Sequence, residues 1–368
     1  MSSRLSRYAS GRDNNFNLIR FLAAALVLYS HAYPLSGTPG EPLEKLAGFS
    51  LGHLAVDVFF AVSGFLVTGS LLGKGRLGAF LRARALRIFP ALAASSVLTA
   101  FVIGALHTRL AAPAYFRDAN TWRFALQNAT CWPWPIVYGL PGVFQHVPDS
   151  GVVNGSLWSL PFELDMYAAL AIAGLLAYTG SRLLSERWLR VLVIAGAVLA
   201  VLTYTANETF EFANGFTSRQ GIRLTALFAT GAVFYVLRDR IPLTRAWFVA
   251  ALAALAAALV RGHAVMALYT VSLEYIVLWL AFVPAGFVRR YNALGDYSYG
   301  FYLWAFPMQQ CVMAWRPGSS RMALTALAAI PTLALAILSW HLLESPMLAL
   351  KARGRASAPP RPPPTPQP

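Results

Sequence analysis

The chain has 368 residues, 57% of them hydrophobic and 12% charged, with a mean hydropathy of +0.54 that an ordinary soluble domain does not reach. Its net charge of +15 would suggest nucleic acid in a soluble protein, but the basic residues fall in short runs between apolar segments and read as membrane topology. Cys131 and Cys311 lie far apart in unlike surroundings and point to neither a disulfide framework nor a Cys-based metal site, so no metal and no nucleic-acid partner is expected.

In chain order, ten apolar segments are each long enough to cross about 30 Å of hydrocarbon as a helix. They are expected at Phe16 to Pro34, Leu51 to Leu72, Ile88 to His107, Leu157 to Tyr178, Leu189 to Ala206, Gly221 to Leu237, Ala246 to Val260, Ala264 to Val288, Leu294 to Trp315 and Met322 to Leu343. With the N-terminus inside, the inner segments hold twenty of the 30 Lys and Arg residues and the outer ones nine, and Arg20 lies within the first span. That alternation follows the positive-inside rule and predicts an all-α polytopic membrane protein of about ten spans, with both termini cytoplasmic.

The expected organisation is a cytoplasmic N-terminal segment (1–15), a membrane domain (16–350) and a Pro-rich, disordered cytoplasmic tail (351–368). The first apolar run is followed by Tyr33-Pro34 rather than a small-x-small site, so it is expected to stay as a helix. The long outer connection from Arg109 to Ser156 carries Trp122, Trp132 and Trp134; stacking on sugar rings and an interfacial aromatic belt explain these equally well.

Ionisable groups inside membrane helices are costly and usually face a cavity, so each marks a functional hypothesis. Arg20 and His31 are eleven residues apart on the first helix, which places them about 20° apart in azimuth and about 16 Å apart along the axis. Asp57 lies about two turns below the outer end of the second helix. On the fourth, Ser156, Ser159, Glu163 and Tyr167 follow helical spacing and share a face. His31, Asp57 and Glu163 are therefore expected at one level in the outer half, with Arg20, Arg84 and Arg87 gathered at the cytoplasmic side.

A donor with an anionic nucleotide head and a long thin arm would dock its phosphates on those arginines and thread its reactive end outward. Acyl-CoA has that shape. His31 would serve as general base on an acceptor hydroxyl. Asp57 or Glu163 would orient the imidazole, although a lone carboxylate there would equally pair with a buried Arg.

At these residues the sequence resembles the membrane-bound acyltransferase 3 family. Arg20 and His31 match its first-helix motif, and Asp57-Val-Phe-Phe-Ala-Val-Ser63-Gly64-Phe65-Leu66 its second-helix motif. Arg84-Ala-Leu-Arg87-Ile-Phe-Pro90 is similar to its Arg-x-x-Arg motif, and Ser156-Leu-Trp158-Ser-Leu-Pro-Phe-Glu163 to its Trp-Ser-Leu-x-x-Glu element. Ser298-Tyr299-Gly300-Phe-Tyr302-Leu and Leu343-Glu344-Ser-Pro346 complete the set, which spans essentially residues 14 to 350. Where many relatives carry a His in the ninth span, this chain reads Phe306-Pro307-Met-Gln309-Gln310, a variant of branches acting on capsular, exopolysaccharide and lipo-oligosaccharide acceptors.

The resemblance implies acetyl transfer from cytoplasmic acetyl-CoA to a sugar hydroxyl of an exopolysaccharide or other surface glycan. It makes His31 catalytic, Asp57 and Glu163 necessary, and Arg20, Arg84 and Arg87 the residues that serve the acyl-CoA. Trp158, Ser159, Tyr167 and Tyr299 are the candidates for holding substrate. The implied partners are acyl-CoA, a sugar or lipid-linked glycan and membrane lipids, with polysaccharide-assembly proteins as further candidates. Direct transfer and an acyl-histidine intermediate both stay open.

Blander readings stand beside these. His31 would be a packing histidine, and Arg84 and Arg87 would orient helices or bind anionic lipid. His53, His107, His146, His263 and His341 lie near span ends and read as interfacial, while Asp165 and Glu274 read equally as structural. Ser63 and Gly64 read as close-packing residues, and Ser63 has no activator visible in the sequence. The competing functions are a flippase or transporter of a lipid-linked saccharide, and an acyltransferase using another donor such as succinyl-CoA.

Overall fold

The computed structural model describes residues 4–9, 11, 13–74, 77–131, 135–177, 182–261 and 266–356. Among them there is no β-strand, and each of the ten predicted apolar segments falls on a helix. The helices are α1 (Phe16–Leu35), α2 (Leu51–Lys74), α3 (Leu77–Leu98), α4 (Ala119–Thr130), α5 (Leu160–Leu176) and α6 (Arg182–Phe210). They continue with α7 (Phe216–Val236), α8 (Arg245–Arg261), α9 (Met266–Phe282), α10 (Ser298–Trp315), α11 (Arg321–Ser339) and α12 (Ser345–Ala356).

Among the described residues, six helical stretches are long and apolar enough to cross a membrane: Phe16–Leu35, Leu51–Gly73, Leu77–His107, Gly155–Leu176, Glu186–Phe210 and Arg321–Leu350. The chain is a membrane protein. The sixth to ninth expected spans are not among these six, and the helix at Arg245–Val260 is a shorter apolar one. The third span begins earlier, at Leu77, and passes through a π-turn at Thr99–Gly104. The eighth is broken: α9 ends at Phe282 and the chain bends by 85° into the Gly286–Ala293 turn, with Gly286 at φ 74°. The ninth, α10, is enclosed by its neighbours, with every residue from Ser298 to Pro307 buried.

The helices meet through small residues and side-chain locks. A Cβ on Gly64 of α2 would stand 1.9 Å from the Phe228 carbonyl oxygen, and one on Gly231 of α7 would stand 2.3 Å from that of Ala61. The close packing expected at Gly64 is therefore a backbone contact between α2 and α7 that tolerates no side chain. Asn154 accepts from the Ser156 backbone N–H at 3.1 Å and donates to the Leu303 carbonyl at 3.1 Å, tying the Gly155–Ser159 turn that starts α5 to α10.

The long connection expected between the third and fourth spans is itself structured. It contributes α4, capped by Asp118, and buries Tyr115, Phe124, Val143, Phe144 and Val153 against Ala32 and Leu35 of α1 and Trp304 and Phe306 of α10. Trp122 is 49% exposed and donates to the Phe116 carbonyl at 2.8 Å. Trp132 and Trp134 lie outside the described residues, as does the tail beyond Ala356.

Candidate active site

Two cavities of about 330 Å³ each lie in the helical core. The first is lined by Arg20 on α1, Ser63 on α2, Arg84 and Arg87 on α3, Ser159, Glu163 and Tyr167 around the start of α5, and Asp296, Tyr299 and Tyr302 at α10. The second is lined by Ser30, His31 and Tyr33 of α1, by Glu41, Glu44 and Ser50 of the following connection, by His53 at the start of α2, and by Trp158 and Tyr302. Val56 and Tyr302 line both.

In the arginine cavity, two of the three cations are already engaged. Asp296 Oδ2 accepts from Arg20 at 2.5 Å and from Arg87 at 2.6 Å, and Arg87 also reaches Glu344 at 3.1 Å. The other oxygens are held too: Ser298 donates to Asp296 Oδ1 and Ser339 to Glu344 Oε1. Arg84 differs. Its Nε is buried without a hydrogen-bond partner, and its guanidinium carbon lies 5.7 Å from the centre of the Tyr167 ring. No carboxylate pairs with it among the described residues, so it is the cation available to a ligand.

Glu163 faces this cavity rather than the one that holds His31. Its Oε1 accepts from the hydroxyl of Tyr167, one turn on, and the Ser63 hydroxyl lies within reach of both, 3.3 Å from that oxygen and 3.2 Å from the Tyr167 hydroxyl. Ser63 thus has the carboxylate neighbour that the sequence could not show. Ser159 and Tyr302 share a hydrogen bond at 2.8 Å, and Tyr302 donates to the Ser156 carbonyl at 2.6 Å. Tyr299 donates to the Ile88 carbonyl at 3.1 Å beneath Arg87.

His31 stands edge-on to Phe306, with ring centres 5.2 Å apart, and its Nδ1 is buried with no hydrogen-bond partner. No described carboxylate orients it. Asp57, expected at the same level, lines neither cavity. Its Oδ1 accepts from Arg223 of α7 at 2.5 Å and its Oδ2 from the Tyr269 hydroxyl of α9 at 2.6 Å. The three polar groups expected together are therefore divided between two cavities and an ion pair. Trp158 lines the His31 cavity, and Ser159, Tyr167 and Tyr299 the arginine cavity.

Several contributors were not singled out from the sequence. His53, read as interfacial, lines the His31 cavity, its Nδ1 3.0 Å from the Ser50 hydroxyl. Glu41 lines it as well and is buried. Asp296 sits two residues before the Ser298-Tyr299 motif, a capping spacing that was its one sequence signal. Of the other histidines, His146 is exposed and His107 packs on Phe144, while His263 lies outside the described residues.

Fold and site define an all-helical membrane protein with two adjoining polar cavities, one cationic and one holding an unpaired imidazole. The chain belongs to the acyltransferase 3 family, whose acyltransferase domain matches residues 13–341. It is 28% identical over 351 residues to an O-acetyl transferase of Shigella phage Sf6, covering 92% of this chain and 96% of that protein. It is 30% identical over 376 residues to nodulation protein 10 of Rhizobium leguminosarum bv. viciae, covering 94% and 96%. No solved structure matches it. The protein is an O-acyltransferase.

Proposed function

We propose that this enzyme takes an acetyl group from cytoplasmic acetyl-CoA at the arginine cavity and places it on a sugar hydroxyl of an exopolysaccharide or other surface-glycan precursor at His31. In this reading the ten apolar helices all cross a bacterial inner membrane, both termini are cytoplasmic, and lipids surround the bundle. The observation that supports the reading is that Val56 and Tyr302 line both the cavity that holds Arg84 and the one that holds His31. The similarity to a phage O-acetyl transferase favours acetyl as the group moved.

Arg84, the uncommitted cation, would meet the phosphates of the donor, and the hydroxyls of Ser63 and Tyr167 beside Glu163 would line the path of its arm. His31 takes the proton of the acceptor hydroxyl as its oxygen bonds to the thioester carbonyl carbon. The carbon–sulfur bond then breaks, and the imidazolium returns the proton to the departing thiolate. Asp57 serves this reaction at a distance, by holding α2, α7 and α9 together around the cavity wall.

The test is O-acetylation of surface polysaccharide, read by proton and carbon NMR, in cells carrying His31→Ala. Acetylation is expected to disappear with protein level and polymer export unchanged. Loss of export with normal acetylation of the remaining polymer would favour a flippase instead.

A further inference from the structure

The cavity that holds His31 has a second ionisable wall that the reaction above leaves unused. Glu41 lies in the connection between α1 and α2, outside the membrane-spanning helices, yet it is only 1% exposed. Its Oε1 accepts from the Leu51 backbone N–H, where the partial positive charge at the start of a 24-residue helix favours a carboxylate. Its Oε2 is buried and has no hydrogen-bond partner among the described residues, and the same holds for Nδ1 of His31.

Buried polar atoms are rarely left unpaired, so two of them on residues lining one cavity call for a ligand that pairs with both. The other polar groups here are weaker candidates: His53 is engaged by Ser50, and Glu44 is exposed. Burial pushes the Glu41 carboxyl up, a hydrogen bond from the Ser30 hydroxyl draws it partly back, and the nearby charge of Glu44 adds to the rise. A sugar supplies hydroxyl donors on neighbouring ring carbons, one for a carboxylate oxygen and one for an imidazole nitrogen.

We infer that Glu41 is a specificity-determining residue of the acceptor site: its Oε2 accepts a hydrogen bond from one sugar hydroxyl and so presents the neighbouring hydroxyl to His31. One ring position is then acylated in preference to the others. The inference rests on the acyl-transfer reading above and adds the residue that sets its regiochemistry.

Glu41→Gln keeps an acceptor for the Leu51 N–H but replaces the unpartnered oxygen with an N–H donor. The experiment compares surface polysaccharide from cells expressing the wild type or this variant at equal membrane level, with the position and amount of O-acetyl read by NMR. The expected result is acetyl spread over more than one hydroxyl, or total acetylation lowered about tenfold, the loss associated with one charge-assisted hydrogen bond. Wild-type position and amount in the variant would overturn the inference. If the Gln variant does not accumulate, Glu41→Asp is read in the same way, since it keeps the charge and draws it back by one methylene. The two readings fail separately: an unaltered pattern in Glu41→Gln with no acetylation in His31→Ala removes Glu41 alone, whereas normal acetylation in His31→Ala removes the reaction on which it depends.

Discussion

Arg20 and Asp296 are 276 residues apart in sequence, and in the structure Arg20 Nη1 lies 2.5 Å from Asp296 Oδ2. The same oxygen takes Arg87 at 2.6 Å, so one carboxylate lining the arginine cavity joins α1, α3 and the start of α10. Removing it leaves two largely buried guanidiniums facing each other. Asp296→Asn is therefore expected to cost about 3–5 kcal/mol of stability, the usual consequence of breaking a buried pair from one side. Thermal unfolding of the purified protein in detergent measures this, and an unchanged midpoint would refute the strut.

Arg84 has no such carboxylate, so its substitution is expected to act on ligand rather than fold. Arg84→Ala should weaken binding of coenzyme A by about tenfold or more, since charge-assisted bonds to phosphate are worth about 1.5–3 kcal/mol, and leave the unfolding midpoint in place. Calorimetric titration of purified protein with coenzyme A checks it. Arg87→Ala should show the reverse pattern, a lowered midpoint, because its guanidinium is committed to Asp296 and Glu344.

Asp57 and Arg223 make a second buried pair, with side chains 1% and 12% exposed. Asp57→Ala leaves a buried cation unpaired and is expected to reduce the amount of folded enzyme, with activity per folded molecule falling far less than in His31→Ala. Adding Arg223→Met should recover part of the lost stability, because a buried pair replaced from both sides costs little. Specific activity normalised to folded protein separates this from a direct role for Asp57 in the chemistry.

Tyr302 forms part of the wall common to the two cavities, and its hydroxyl is anchored at Ser156 and Ser159. Tyr302→Ala should open that wall and raise use of butyryl-CoA relative to acetyl-CoA, whereas Tyr302→Phe keeps the ring and should keep the acetyl preference. The ratio of kcat/KM for the two donors is the readout, and an equal ratio in all three proteins would count against Tyr302 as the divide.

The helices were legible because apolar runs of about 20 residues and clustered arginines are local features, and so was the shared face of Ser159, Glu163 and Tyr167. What pairs with what was not. Asp57 meets Arg223 across 166 residues, and Arg223, at the edge of the sixth expected span, carried no hint of its partner in the sequence. Glu41, beside Pro42 in a short polar connection, was marked by no sequence feature, yet it is buried in the fold. The break in α9 went unseen because the apolar run continues through Pro284 to Val288 while the backbone turns at Gly286. Depth estimates along separate helices put His31 and Glu163 on one level, but tertiary packing turned them into different cavities.

The central claim is that the donor enters from the arginine end and the acceptor reacts at the other. Membrane vesicles of defined orientation, given radiolabelled acetyl-CoA on the outside only, test it most directly. Label should reach glycan in inside-out vesicles, whose cytoplasmic face is exposed, and be absent both in right-side-out vesicles and in inside-out vesicles carrying His31→Ala. Equal labelling in the two orientations, or full labelling without the imidazole, would contradict the account.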